Sequence, residues 1–349
     1  MRAFGFLSFG HYMNSHGSQA RTASDMLKQA VDIGVGADEI GVNGAYFRVH
    51  HFAQQQASPM PLLATIAAKT KRIEVGTGVI DMRYENPLYL AEEAAALDIL
   101  ADGRIALGIS RGSPETVIRG YETFGYTGSN DARGADIARA KFDLFMRSID
   151  GERLAAGERS MTGGQIMPIE PRSATLRDHI WWGSATRESA EWTGQQGLNM
   201  MSSTLLTEDA GLPFDELQAE QIIRFREAYR EAGHTGAPRV SVSRSIFPIM
   251  NSQDAAYFGN ASERHDGVGM IDGFRSTFGR TYAGEPDKLI EELKKDRAIA
   301  LADTLMLTIP NQLGVEYNLH ILESFAKHVA PALGWKPNWE GPVTGDIIK

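Results

Sequence analysis

Apolar and polar positions along this chain follow two alternating periodicities. Short apolar runs typical of buried strands are each followed, sooner or later, by a segment with apolar residues at helical spacing. Ala3–Ser8 is the first such run, and Met26, Leu27 and Ala30 mark one face of the first helical segment. The predicted strands are Ala3–Ser8, Glu39–Asn43, Ile73–Ile80, Ile105–Ser110, Ile180–Trp182, Leu198–Ser202, Val240–Ile249 and Thr304–Ile309.

Helix-start signals support the intervening helices. Ser58 precedes Pro59 and Asn86 precedes Pro87, in each case a capping residue before a proline suited to a first helical turn. The predicted helices are Asp25–Ile33, Leu62–Lys69, Leu88–Leu100, Ile137–Ile149, Glu188–Gln196, Glu216–Ala232, Pro286–Ala300 and Tyr317–Val329. Such alternation predicts an α/β protein with a parallel sheet covered by helices. Eight strand–helix units in one domain, residues 1–349, favour a closed (β/α)8 TIM barrel over a doubly wound sheet.

Two stretches interrupt the alternation, Gly151–Asp178 and Asn251–Gly284. Both contain glycine, proline or charged residues without a clean period, so we interpret them as insertions into the barrel. Long insertions in a barrel often cover the mouth of the active site and act as lids. An equally good interpretation is that both insertions lie on the surface without covering the active site.

Charge and cysteine content exclude several classes of protein. The chain has 35 Lys and Arg against 44 Asp and Glu, and this net charge of −9 argues against a nucleic-acid partner. It has no cysteine, which removes disulfides, thiolate metal sites and cysteine nucleophiles. Neither a signal peptide nor an apolar stretch long enough to span a membrane is recognisable. We therefore expect a soluble cytoplasmic protein with no membrane partner.

Two adjacent histidines, His50 and His51, follow the second predicted strand, where barrel side chains reach the catalytic end. Adjacent residues of an extended chain point to opposite sides, and no third ligand lies at a suitable spacing nearby. We therefore predict no metal site. One histidine facing a ligand and the other facing the core is a better interpretation than a metal pair, and a structural role for both histidines is favoured over either.

Glycines inside a strand mark a second candidate ligand-binding position. Gly76 and Gly78 interrupt the otherwise apolar third strand. Glycine within a strand marks close approach of a ligand or of another backbone. Ligand binding and tight helix packing explain the pattern equally well.

Two turns offer groups that could bind an anion. Gly108–Gly112 ends the fourth strand and places Ser110 and Arg111 at the mouth, where a guanidinium can hold an anion through two hydrogen bonds. Gly183–Thr186 leads from the fifth strand into a helix whose first N–H groups attract anions. Thr186 could equally be a plain N-cap. Barrels usually bind phosphate after strands seven and eight, whereas this turn follows the fifth.

Other catalytic templates are missing from the sequence. There is no Gly-x-Ser-x-Gly at a strand–helix turn, which argues against a nucleophile-elbow hydrolase. Neither a P-loop nor a Rossmann Gly-x-Gly-x-x-Gly is present. Nothing in the sequence therefore indicates a nicotinamide site.

Taken together, these segments resemble the bacterial-luciferase-like flavin-dependent monooxygenases. Four segments match the family's Pro-x-x-x-Ala-Glu, Leu-Asp, Gly-Gly-Arg and Gly-x-x-Arg-Gly series in order and spacing: Asn86–Glu93, Leu97-Asp98, Asp102–Arg104 and Gly108–Gly112. His50-His51-Phe52 is similar to the family's Glu-His-His-Phe. The likeness covers most of the chain and is weakest over the two insertions.

The resemblance implies a barrel, commonly dimeric, that binds FMN at its carboxyl-terminal mouth. It implies a non-prolyl cis peptide at Gly78-Val79 against the isoalloxazine, and it places Ser110 near the flavin carbon that receives oxygen. His50 would be the acid/base group, with a pKa suited to proton transfer near neutrality. The residues implied to hold the phosphate are Arg111, Gly183, Ser184 and Thr186.

The implied activity is a two-component monooxygenase. A separate flavin reductase would supply reduced FMN, and oxygen would form a hydroperoxyflavin that oxidises a small organic substrate in a shielded pocket. One alternative keeps the fold and uses a deazaflavin for hydride transfer, which Arg83–Pro87 mildly resembles. A second alternative is a flavin-binding subunit without its own turnover.

This sequence departs from the family pattern at two of these positions. Val49 stands where an acidic residue usually precedes the paired histidines, which puts an orienting partner for His50 in doubt. Ser110 stands where the light-emitting enzyme has cysteine, so we predict no luminescence.

Overall fold

Strands and helices alternate in the computed structural model, which describes residues 1–112, 115–208, 210–263, 266–271, 274–342 and 345. The strands in chain order are β1 (Ala3–Ser8), β2 (Gly44–Phe47), β3 (Glu74–Asp81), β4 (Ile105–Ser110), β5 (Ala155–Ala156), β6 (Ile166–Met167), β7 (Ile180–Ser184), β8 (Asn199–Ser202), β9 (Leu205–Leu206), β10 (Val240–Pro248), β11 (Gly267–Ile271), β12 (Phe274–Phe278), β13 (Thr281–Gly284) and β14 (Thr304–Ile309). The helices are α1 (Ala23–Ile40), α2 (Pro59–Lys69), α3 (Pro87–Leu100), α4 (Ala135–Ile149), α5 (Arg159–Thr162), α6 (Arg187–Gln195), α7 (Phe214–Glu231), α8 (Ser252–Phe258), α9 (Pro286–Leu293), α10 (Arg297–Leu301) and α11 (Gly314–His328).

Eight parallel strands close into a barrel. Their order is β14, β1, β2, β3, β4, β7, β8 and β10, and β10 closes the ring by pairing with both β8 and β14. Strand β13 continues the sheet beside the last residues of β10. The expected (β/α)8 TIM barrel is therefore confirmed.

The second strand and one helix differ from the sequence prediction. The strand expected at Glu39–Asn43 begins at Gly44, because α1 runs on to Ile40 and Gly41 then ends it in a left-handed conformation. The single helix expected at Pro286–Ala300 is divided into α9 and α10. It breaks where the Asp296 carboxylate accepts the Ile299 N–H at 3.0 Å and so caps a new helix.

The two insertions lie at opposite ends of the barrel. Residues 151–178 connect α4 to β7, and a helix-to-strand connection lies at the amino ends of the strands. They form the small β5–β6 hairpin with α5, and none of them lines the cavity described below. The described residues of the second insertion, 251–263, 266–271 and 274–284, follow β10 and so lie at the mouth, where β12 pairs with β9. A lid over the mouth is therefore excluded for the first insertion by its position.

A buried ion pair fills the amino end of the barrel. Arg239 binds both oxygens of Glu74 at 2.6 and 3.1 Å, and Tyr46 donates its hydroxyl to the same carboxylate at 2.6 Å. The Arg239 guanidinium also lies 4.8 Å from the ring centre of Trp181. Above this layer, the side chains of Leu7, Tyr46, Ala106, Trp181, Met201 and Met306 form an apolar core inside the barrel. Access from solvent is consequently through the carboxyl-terminal mouth.

No helix in the described part of the chain combines the length and the apolar character needed to cross a membrane.

Candidate active site at the carboxyl-terminal mouth

A cavity of about 480 Å³ opens at the carboxyl ends of the barrel strands. This volume lies within the roughly 300–1,000 Å³ typical of small-molecule and cofactor sites. The mouth of a (β/α)8 barrel is also where enzymes of this fold carry their catalytic groups. The cavity is therefore the candidate active site.

Three of the sequence-predicted residues meet in the cavity wall. The Gly78-Val79 peptide is cis, as the family resemblance implied. A Cβ atom at Gly183 would lie 3.2 Å from Cγ1 of Val79 and 3.3 Å from Cβ of Ser110. The neighbouring strand ends thus form one continuous surface, and a side chain at position 183 would require Val79 or Ser110 to shift by a few tenths of an ångström.

His50 lines the same cavity, but its environment differs from the expected one. Burial, together with the positive charges of the nearby Arg48, His11 and His51, lowers the pKa of His50 to about 4. A pKa suited to proton transfer near neutrality was therefore the wrong expectation, because a desolvated imidazole among positive groups stays neutral. At pH 7 His50 is available as a proton acceptor or neutral hydrogen-bonding group.

His51 is held in an aromatic cluster at the rim. Its ring stacks on Tyr84 at 4.1 Å between centres and meets Phe124 edge-on at 5.3 Å. The buried Nε2 of His51 has no hydrogen-bond partner among the residues that the structure describes. Both histidines border the cavity, so the interpretation with only one of them facing a ligand is not what the structure shows.

A charged cluster forms one wall of the cavity. Arg83 binds Asp81 through Nε at 3.0 Å and Nη2 at 2.6 Å, and it also pairs with Glu115. Tyr84 donates its hydroxyl to the same Glu115 carboxylate. Burial raises the pKa of Asp81 to about 6, opposed by Arg83 and assisted by Glu115. Asp81 and Glu115 were not singled out from the sequence, although Asp81 occupies the carboxyl end of a barrel strand, a position that signals a site.

The part of the wall next to this cluster is cationic. Arg111, Arg133 and Arg139 line the cavity, as do residues at the start of α6. Burial lowers the pKa of Arg111, and the positive charges of Arg133, Arg83 and Arg139 lower it further, which indicates how close these side chains lie. Guanidinium groups are suited to binding a phosphate.

The turn before α6 contains the remaining predicted residues, of which one lines the cavity and the other is buried away from it. Thr186 lines the cavity, and its hydroxyl also accepts the Ser189 N–H at 3.0 Å, so it is an N-cap as the alternative interpretation held. Ser184 is fully buried, and its hydroxyl lies 3.1 Å from that of Thr193, away from the cavity. The prediction that the Ser184 side chain holds a phosphate is corrected, because successive residues of a strand point to opposite faces.

Arg133 and Arg139 were missed because no spacing in the sequence places them at the mouth. Arg133 belongs to the loop before α4, and Arg139 is in the first turns of that helix. Within the described residues no group of three or more His, Asp or Glu side chains is arranged to hold a metal ion.

The parallel barrel and the cofactor-sized cavity at its mouth define a protein of the TIM-barrel class, with a cationic wall suited to an anionic ligand. The model of the luciferase-like monooxygenase family matches residues 1–298, and the chain belongs to this family of flavin-dependent oxidoreductases. The resemblance inferred from the motifs is therefore confirmed.

Comparison with known proteins supports the same assignment. The oxygenase component of flavin-dependent trigonelline monooxygenase from Acinetobacter baylyi is 33% identical over 98 residues, 28% of this chain and 27% of that protein. The chain spans less than two thirds of the curated relatives that it matches, between 29 and 61% of the length of three of them.

Two solved structures share the fold. The oxygenating constituent of 3,6-diketocamphane monooxygenase from Pseudomonas putida, in complex with FMN, has a TM-score of 0.69 and 18% identity over 95% of this chain and 99% of that one. The coenzyme F420-dependent tetrahydromethanopterin reductase from Methanopyrus kandleri has a TM-score of 0.63 and 15% identity, with 95% and 99% covered. At these identities the likeness is one of fold.

Proposed function

We propose that this protein is the oxygenase component of a two-component monooxygenase, which uses reduced FMN and oxygen to oxidise a small organic substrate. The observation that carries the proposal is the cavity itself, in which Val79, Ser110 and Gly183 form one wall and Arg111 with its neighbours forms an anion-binding end. An apolar surface for a ring system and a cationic site for a phosphate are the two features that FMN requires.

The residues present fit this cofactor. A Cβ at Gly183 would enter the space between Val79 and the cavity, so glycine leaves a surface against which a flat ring can lie. The phosphate would be held by Arg111, Arg133 and Arg139. Thr186 lines the same end of the cavity, but its N–H and its hydroxyl are both bound to Ser189, so it would contribute to the shape of this end, and Ser184 would contribute through packing alone.

Each side chain has a definable task in this proposal. Bound reduced FMN would supply the electrons and the site of oxygen activation. The apolar residues Leu7, Met201 and Met306 exclude water from the cavity floor. His50, neutral at pH 7, would accept a proton from the substrate or from a water molecule at its imidazole nitrogen. The Ser110 hydroxyl accepts the Gly112 N–H at 2.9 Å, so its own proton is free to be donated into the cavity.

The partner in this proposal is a separate flavin reductase. The sequence has no dinucleotide fingerprint, and the similar trigonelline enzyme is described as an oxygenase component. Oxygen consumption should therefore require an added reductase with NAD(P)H and FMN, and it should increase with a suitable substrate. A substrate panel of aldehydes, alkanes, sulfonates and ketones tests this. Direct oxidation of NAD(P)H by the protein alone would contradict the two-component arrangement.

A deazaflavin-dependent hydride transfer is the second candidate. It is favoured by the shared fold of an F420-dependent reductase. Preferential binding of reduced deazaflavin, with no oxygen consumption, would replace the first proposal by this one.

Assembly and location form a further part of the proposal. Homodimerisation is carried over from the family resemblance, and a cytoplasmic location is the expectation drawn from the sequence. Light scattering on the purified protein tests the first, and cell fractionation tests the second.

A further inference from the structure

Arg83 makes contacts that the cofactor-binding proposal does not use. It follows β3 at the rim, is 8% exposed, and its guanidinium is shared by the carboxylates of Asp81 and Glu115. Glu115 belongs to the β4–α4 loop, of which residues 111–112 and 115–134 are described, and two further contacts of Arg83 reach the same loop. Arg83 Nη1 donates to the backbone oxygen of Arg133 at 3.0 Å, and the guanidinium lies 5.4 Å from the ring centre of Tyr121.

These contacts restrain the loop near both of its ends. At the first end, Gly112 packs so closely that an added Cβ would lie 2.2 Å from Oδ2 of Asp81 and 2.5 Å from Nη2 of Arg83. Gly112 directly follows Arg111. At the second end, the hydrogen bond to the Arg133 carbonyl fixes the backbone from which the Arg133 side chain enters the cavity. The helix that follows is tied in as well, because Lys141 donates to the backbone oxygen of Arg83 at 2.6 Å.

We propose that Arg83 is a positioning residue for cofactor selection: held by Asp81 and Glu115, it fixes the β4–α4 loop so that Arg111 and Arg133 form a preformed phosphate-binding site. This inference rests on the proposed function, since it assumes that the anion bound between these arginines is the cofactor phosphate. According to this inference, Arg83 affects the binding of the phosphate and does not affect the binding of the flavin ring.

The chemistry of the cluster calls for arginine. A guanidinium presents several N–H donors in a fixed plane and so reaches Asp81, Glu115 and the Arg133 carbonyl together. A lysine ammonium at this position keeps the charge but cannot span these acceptors. Without Arg83 the two carboxylates would also lose their counter-charge close to the phosphate site, which opposes binding of an anion.

The test compares two ligands that differ only in the phosphate. Dissociation constants for FMN and riboflavin are measured by fluorescence titration for the wild type, Arg83→Lys and Arg147→Lys. Arg147 is the matched control, because it lies on α4, binds the carboxylates of Asp143 and Glu152 and does not line the cavity. We expect Arg83→Lys to reduce the preference for FMN over riboflavin on the order of tenfold, with riboflavin affinity unchanged and the control like the wild type.

A second variant covers the case in which Arg83→Lys does not fold. Gly112→Ala introduces the Cβ that collides with Asp81, at a backbone φ of 107° that disfavours any residue but glycine. It should cause the same selective loss for FMN.

Each outcome of the titration is decisive. An unchanged FMN preference in both variants would overturn the inference, and so would an equal loss of FMN and riboflavin affinity, because that result indicates a general structural role. A wild type without any preference for FMN would overturn it too. A wild type that binds neither ligand contradicts the proposed function instead. In that case the titration is repeated with F420 and with its phosphate-free deazariboflavin. A loss of affinity for F420 alone supports the inference, and an equal loss of affinity for both ligands overturns it.

Discussion

Replacing His50 should change how the stability of this protein depends on pH. Burial, together with Arg48, His11 and His51, lowers the pKa of His50 in the folded protein to about 4, against about 6.5 for an unperturbed histidine. Above pH 6.5 the residue is neutral in both folded and unfolded chains and contributes nothing. Between pH 6.5 and 4 only the unfolded chain binds the proton, so the folded state loses stability as the pH falls.

The size of this effect follows from the pKa difference. A lowering of about 2.5 corresponds to at most about 3 kcal/mol. His50 is only partly buried at the mouth, and solvent screening reduces the expected loss to about 1–2 kcal/mol. His50→Asn has no such proton to bind. As the pH falls from about 7.5 to about 4.5, the free energy of unfolding of the wild type should therefore drop by about 1–2 kcal/mol more than that of the variant.

Urea unfolding of both proteins at several pH values measures this difference. The exposed His16, replaced by asparagine in the same way, controls for the loss of a histidine as such. NMR titration of the imidazole C–H signals locates the pKa of His50 directly. A difference between variant and wild type that stays constant over this range would refute the reasoning, as would titration of His50 near 6.5.

Three further substitutions test the barrel and its mouth. Glu74→Gln leaves Arg239 as an uncompensated buried charge and should lower the free energy of unfolding by about 3–5 kcal/mol in urea titrations, and a loss below about 1 kcal/mol would contradict the buried pair. Thr186→Ala removes the N-cap of α6 and should lower the free energy of unfolding by about 0.5–2 kcal/mol, whereas Thr186→Ser should keep most of this stability. Gly183→Val crowds Val79 and Ser110, so it should lower the free energy of unfolding by about 1–3 kcal/mol and weaken FMN binding at least about tenfold, and undiminished binding by the folded variant would show that the flavin lies elsewhere.

Local pattern was sufficient to predict the barrel. Strands such as β1 and β14 are apolar runs buried on both sides, and their predicted bounds, Ala3–Ser8 and Thr304–Ile309, are those of the structure. β2 was misplaced because its helix continues past the apolar residues used to define it. Asp38, inside that last turn, is buried and accepts the N–H of Ile73 at 2.8 Å, a contact distant in sequence that no local pattern contains.

The site was predictable only where its residues lie on strands. Ser110 and Gly183 end neighbouring strands, so closure of the barrel brings them together. The same alternation places the Ser184 side chain on the outer face, and it would have excluded this residue from the sequence alone. Arg133 is different, because its position depends on the β4–α4 loop and on a hydrogen bond from Arg83 that only the folded chain shows.

Anaerobic titration with reduced FMN and with reduced deazaflavin, followed by admission of oxygen, tests the central proposal most directly. We expect tighter binding of reduced FMN, weakened when Arg111 is replaced by methionine, and consumption of oxygen once it is admitted. Selective binding of the deazaflavin without oxygen consumption would contradict the proposal and identify a hydride-transfer enzyme built on the same barrel.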